Sequence, residues 1–296
     1  MISFLFKFLK GGEDYMSGKE KIIKLFVSNV LDKSPDISSF NQDHDGSEGH
    51  WLERQFDIKA NGDNSPDIYG YELKKDTTSK TTFGDWSANR YIFYKGEYSN
   101  LFEGETKKEK QNSFLKIFGT PNQDKNNRCS WSGKVCPKIG EYNEFGQKLI
   151  ITEDNDICAI YSYEKDQRAN KQEIIPKELQ KIDKLILAKW FGETSPSSKR
   201  RDKNLKSKLE DKFNQKGWFT CKRDDNGVYK EICFGKPINF DEWIKWVKEG
   251  DVFFDSGMYE GNARPYSQWR ANNTFWDKLI NERLTINEIN LRYKLK

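Results

Sequence analysis

Apolar residues recur along this chain with two different periods, and the switches between them mark its elements. Ser17 followed three residues later by Glu20 is a capping-box signature, and behind it Ile23, Phe26, Val27, Val30 and Leu31 fall on one helix face. Residues 32 to 46, with Pro35, Asn41, Asp43 and Gly46, break that period and read as a loop. A second helix is expected from about Ser47, with Leu52 and Phe56 as its i,i+4 core contact. From Asp67 to Lys75, entered through Ser65-Pro66, large apolar or aromatic residues alternate with polar ones, which is the period of a half-buried strand.

The same reading carries on toward the C-terminus. Tyr91 to Tyr94 is expected as a strand in an aromatic stretch that also holds Phe83, Trp86 and Tyr98, a cluster more in keeping with a core than with base stacking. Residues 104 to 113 should be a loop or an exposed helix, and 120 to 146 a long loop. Alternation predicts a hairpin from 148–152 and 157–163, a helix near 176–182 and a central strand over 184–190. A helix through Leu209 and Phe213 follows, then a hairpin from 217–222 and 228–234 turning at Asp224-Asp225-Asn226-Gly227. Asn239 and Glu242 cap a helix whose stripe is Phe240, Trp243, Ile244 and Val247; Gly250 stops it and Val252 to Phe254 forms a strand. Residues 255 to 273 look like a shaped loop with a short strand, and 275 to 296 like a helix and a basic tail.

Composition narrows the class. The 296 residues can bury a substantial core, as one large domain or two lobes. Nothing approaches a membrane span, and a net charge of +4 from 50 basic and 46 acidic residues does not announce a polyanionic partner. The five cysteines, with no secretory signal, fit reduced thiols in a cytoplasm. Residues 1 to 15 read as a dispensable leader, short in its apolar run and interrupted by Lys7.

The candidate chemistry lies between Ser47 and Lys75. On a strand, Glu72 and Lys74 share a face, whereas Asp67 has the opposite parity and reaches that face only if the chain bends or bulges near Gly70. Two carboxylates and an ammonium suit a hard cation and a phosphodiester, and equally suit a solvated strand face with a cross-strand ion pair. Glu53 on the preceding helix, Asn-Ser-Pro-Asp ending at Asp67, and Tyr-Glu-Leu-Lys from Tyr71 to Lys74 together resemble the active-site pattern of the PD-(D/E)xK nucleases. More narrowly they are similar to the MvaI and BcnI restriction endonucleases and their mismatch-repair relative MutH. The resemblance covers residues 47 to 76, and only loosely 253 to 270. It implies an α/β fold, a restriction-endonuclease-like mixed sheet flanked by helices, with a second, less regular DNA-recognition lobe. It also implies an Mg²⁺-dependent type II restriction endonuclease in which Asp67 and Glu72 bind metal, Lys74 orients the water and Glu53 assists. The chain departs from it in having only His44 and His50, so a late active-site histidine is absent.

Further expectations follow for the substrate. Lys199, Arg200 and Arg201 sit in a run from Ser198 to Lys208 with six basic residues in eleven, suited to phosphate contacts or to a solvated helix start. Arg264 and Arg270 could pair with guanine, and Gln268 or Asn272 with adenine; alternatively the arginines brace the loop against Asp255 or Glu260. The expected organisation is a catalytic core over 16–195 and a recognition and C-terminal region over 196–296. Double-stranded DNA is the expected partner, a cognate methyltransferase the genetic one, and the chain a monomer. The alternatives are a MutH-like nickase, a non-catalytic DNA-binding module, and a nuclease acting on RNA or branched DNA.

Overall fold

Ser17 accepts a hydrogen bond from Glu20 N–H while the Glu20 carboxylate takes the Ser17 N–H, and this reciprocal cap starts α1, Gly18–Leu25. In the computed structural model, residues 16–38, 46–59, 64–77 and 79–293 are described, without the side chain of Arg201. The leader expected over 1–15, part of the loop expected over 32–46 and the last residues of the basic tail lie outside the described residues. A π-helical turn, Phe26–Val30, continues α1, and α2 spans Ser47–Gln55. The strands then begin with β1 (Tyr71–Lys75), β2 (Lys80–Asp85) and β3 (Arg90–Tyr91). The next elements are α3 (Lys107–Phe118), β4 (Thr120–Asn122), β5 (Arg128–Ser130), β6 (Phe145–Ile151) and β7 (Ile157–Asp166). Short helices α4 (Lys171–Ile174) and α5 (Lys177–Gln180) precede β8 (Leu185–Trp190) and α6 (Leu205–Phe213). β9 (Gly217–Arg223), β10 (Tyr229–Gly235), α7 (Phe240–Glu249), β11 (Val252–Asp255) and β12 (Gln268–Asn272) come next. The described chain closes with α8 (Asn273–Lys278), β13 (Ile280–Thr285) and α9 (Ile286–Tyr293).

The chain divides into two compact units that interleave in sequence: Met1–Thr81, Glu210–Ile238 and Asn273–Lys296 in the first, Thr82–Leu209 and Asn239–Asn272 in the second. The expected single boundary at 195 therefore gives way to a discontinuous division, and residues 196–296 do not form a lobe of their own. The cause is strand pairing. β1 pairs with β9 in parallel, and a parallel pair needs a long crossover, which here carries more than a hundred residues.

The first unit is built on a mixed sheet of order β1-β9-β10-β13. Alternation divides its two faces. Leu73, Phe219 and Cys221 point into an apolar core with Ile22, Phe26 and Val30 from the N-terminal helical segment, Trp51 and Leu52 from α2 and Ile289 from α9. Glu72 and Lys74, and beside them in register Trp218 and Thr220, lie on the opposite face. β13 falls inside the stretch expected as helix and tail; its outer face is exposed at Asn281 and Arg283, and on its inner face only Leu284 is fully buried.

The second unit contains the sheets β3-β8-β7-β6 and β11-β12-β2 and the pair β4-β5. Its centre is aromatic: the Trp190, Phe254, Trp243 and Trp269 rings meet at centroid distances of 4.9 to 5.6 Å. Phe83, Trp86, Tyr91 and Phe93 are buried as a core cluster should be. The strand expected over 91–94 is only two residues long, since Tyr94 N–H turns back to the Tyr91 carbonyl. Likewise the stretch 120–146 carries β4 and β5 where a loop was expected. Among the described residues no helix is long and apolar enough to cross a membrane.

Candidate active site

A tight turn delivers β1. Tyr69 and Gly70 have φ of 50° and 83°, and Ile68 and Tyr71 exchange backbone hydrogen bonds of 3.0 and 2.8 Å across them. Two successive positive φ values make the primed hairpin turn that glycine favours. The chain therefore doubles back, and Asp67 runs beside β1: its Oδ2 accepts the Leu73 N–H at 2.8 Å. The continuous strand expected from Asp67 is thus corrected to one that begins at Tyr71. The bend at Gly70 is what removes the parity obstacle.

Glu72 and Lys74 meet on their shared face. Lys74 Nζ lies 2.8 Å from Glu72 Oε1, with side-chain exposures of only 9% and 3%. A second ammonium converges on the same oxygen: Lys212 Nζ, from the last turn of α6, is 2.9 Å away. Its neighbour Phe213 sets its ring 5.1 Å from Lys74 Nζ, a cation–π contact away from water. Asn204 caps α6 by accepting the Ser207 N–H, and Leu205, Leu209 and Phe213 form its buried stripe, with Lys212 on the flank.

The electrostatics follow from this crowding. Burial first, then the charge of Glu72, pushes the Asp67 carboxyl from its usual 3.8 up to about 7, against the opposing pull of Lys74, the Leu73 N–H and Lys212. Burial also holds Lys74 below its ordinary value although Glu72 is beside it. Glu72 Oε2 is buried with no hydrogen-bond partner, an acceptor that costs free energy until something donates to or coordinates it.

Among the described residues, no three His, Cys, Asp or Glu side chains gather to hold a metal ion. Mg²⁺ needs fewer, since it keeps several waters and takes its remaining ligands from substrate phosphates. Asp67, and Glu72 with its open oxygen, fit that donor set. Glu53 lies on α2, where its carboxylate is 3.1 Å from His50 Nδ1 on the same helix and is more than a third exposed. The α2 acid that reaches β1 is Glu48, 2.9 Å from Lys75.

The residues expected to meet DNA are distributed differently. Lys199 and Arg200 are exposed at a short 3-10 turn, Arg200–Asp202, while Arg201's side chain lies outside the described residues. Gln268, Arg270 and Asn272 share one face of β12, with Trp269 and Ala271 buried on the other. Arg270 Nη1 is 3.2 Å from Asp255, and Arg264 Nη2 is 2.7 Å from Asp85. Bracing by Asp255 was one of the two alternatives; Asp85 was not foreseen, and Glu260 instead accepts the Cys129 N–H. Lys212 was missed altogether. Its one sequence signal is a lysine flanking a buried helical stripe, which names no partner.

Comparison with known proteins gives the family and the fold. Residues 32–284 match the model of the LlaMI restriction endonuclease family. The type II restriction enzyme ScrFI of Lactococcus lactis subsp. cremoris is 57% identical over 265 residues, 89% of this chain and 97% of that protein. The solved complex of restriction endonuclease MvaI with its cognate DNA substrate aligns with 92% of this chain and 99% of that one, at a TM-score of 0.53 and 14% identity, so the two share a fold.

Proposed function

This chain belongs to the LlaMI restriction endonuclease family, and from that premise we propose that it is a type II enzyme hydrolysing both strands of double-stranded DNA at a short sequence, with Mg²⁺ as cofactor and 5′-phosphate ends. The observation that carries the chemistry is the buried Glu72, paired with Lys74 through one oxygen and open at the other, with Asp67 alongside. Asp67 and Glu72 would hold the metal, which supplies a polarised phosphoryl oxygen and a more acidic water. Lys74, desolvated and held by Glu72 and the Phe213 ring, is preorganised to orient that water and to meet negative charge as it develops on the phosphate.

Arg264, Gln268, Arg270 and Asn272 are the base-reading candidates, and Lys199, Arg200 and Arg201 the phosphate contacts. Five free cysteines, four of them buried, support a cytoplasmic setting. The resemblance to MvaI and BcnI supports a monomer that cuts the strands in turn, with a cognate methyltransferase protecting the host. Glu53 has the weakest support of the proposed site residues.

Plasmid cleavage tests the reading. Discrete fragments are expected with Mg²⁺ and none with EDTA, and Lys74→Ala should slow cleavage on the order of 10³-fold while a gel shift in Ca²⁺ persists. A Lys74→Ala enzyme as fast as wild type would overturn it. Products that stop at nicked circles would replace it with a site-specific nickase.

A further inference from the structure

The structure points to a second role at the same carboxylate, resting on the nuclease reading above: we propose that Lys212 is a displaceable counter-cation of Glu72, a positioning residue that Glu72 must release to take up a divalent metal ion. Lys212 Nζ and Lys74 Nζ lie 2.9 and 2.8 Å from a single oxygen, Glu72 Oε1. The two ammoniums are not equivalent. Lys74 is a neighbour on the same strand, 9% exposed, and is pinned over the Phe213 ring. Lys212 comes from a helix 140 residues away in sequence, is 19% exposed at its side chain, and stands in the last turn of α6, from which a long flexible stem can swing toward water.

Charge arithmetic gives the two lysines different fates. Glu72 contributes one negative charge, and Asp67 a second only when ionised, against the two positive charges of Lys74 and Lys212. A divalent cation added to that set leaves an excess of positive charge around Glu72, so the more exposed ammonium, the one held by fewer contacts, is the one to leave. Lys212 thus competes with the metal in the resting protein and ceases to compete when the site is loaded.

The test measures metal uptake apart from catalysis. Mn²⁺ binding to the full chain without DNA, followed by the electron paramagnetic resonance of free Mn²⁺, would be compared in wild type, Lys212→Ala and Lys212→Arg. Lys212→Ala is expected to bind Mn²⁺ several-fold tighter and to show a larger rise in melting temperature on adding Mn²⁺, since the protein lacking it loses a partner of Glu72 only in the metal-free form. Lys212→Arg, which keeps the charge, should stay close to wild type. Unchanged or weaker Mn²⁺ binding in Lys212→Ala, with wild type binding normally, overturns this inference alone. No Mn²⁺ uptake and no Mg²⁺-dependent cleavage by wild type overturns it together with the nuclease reading.

Discussion

The face of β1 and the face of β12 both carry charged side chains, and they satisfy them in opposite ways. On β1, two ammoniums crowd one oxygen of a carboxylate that is almost wholly buried, and its other oxygen is left without a partner. On β12 and the loop before it, Arg270 and Arg264 are each paired with an aspartate of their own, with side chains 25% and 51% exposed, although Arg270 Nε, like Glu72 Oε2, is buried without a hydrogen-bond partner. Deeply desolvated charges such as Glu72 and Lys74 interact strongly and are costly to rearrange, whereas more exposed ones, Lys212 among them, exchange partners more readily. On the proposed reading, the Glu72–Lys74 pair is the fixed part of the catalytic face, and the β12 face serves recognition, where an aspartate would be traded for a base edge.

The sharpest way to break this contrast is to remove the carboxylate at its centre. Glu72→Ala leaves Lys74 and Lys212 without their shared partner, and urea unfolding should show a loss of about 3–5 kcal/mol, as for a broken buried ion pair. A loss below 1 kcal/mol would mean that the cluster behaves like a surface pair. Next in size is a pH effect. Asp67 is ionised above 3.8 in the unfolded chain but stays protonated up to about 7 in the fold, so the folded form binds the extra proton. The stability this lends is complete below 3.8 and is lost as pH rises through about 7; metal-free protein should melt progressively lower across that window, and Asp67→Asn should flatten the decline.

On β12 the expected effects are smaller and fall on specificity. Arg270→Ala should reduce discrimination between the cognate site and single-base variants by about 1–3 kcal/mol, with Arg264→Ala giving less, read from relative cleavage rates of oligonucleotide duplexes. Equal loss on every sequence would make them phosphate contacts. Smallest of all is Glu53→Ala. Its exposed pairing with His50 predicts a stability change within about 0.5 kcal/mol, and a cleavage rate much nearer wild type than that of Lys74→Ala. A loss rivalling Lys74→Ala would return Glu53 to the centre of the site.

Much of this architecture is legible in the chain where the cause is local. The caps at Ser17 and Asn239, the turn at Asp224 to Gly227, the stripe of α7 and the β6–β7 hairpin depend on residues within a few positions of each other, and the structure has them where the pattern does. Failures concentrate where distant partners decide. Residues 280–285 were expected as helix or tail and pair instead with β10 as β13, because a sheet position was available to them. Tyr91 to Tyr94 was expected as one strand, but the strand ends at Tyr91 and the chain turns back, with Tyr91 and Phe93 buried and Tyr94 exposed.

The candidate site divides along the same line. By itself the sequence determined that Glu72 and Lys74 share a face, since side chains alternate on any strand, and that Asp67 could join them only through a bend at Gly70. Tertiary structure alone decided that Lys212 and Phe213 close on that pair, that Arg264 is held by Asp85, and that the sheet beneath joins β1 to a strand 146 residues further on. A backbone period fixes directions within one element. Contacts between elements depend on which distant surfaces bury together, and no local spacing records that choice.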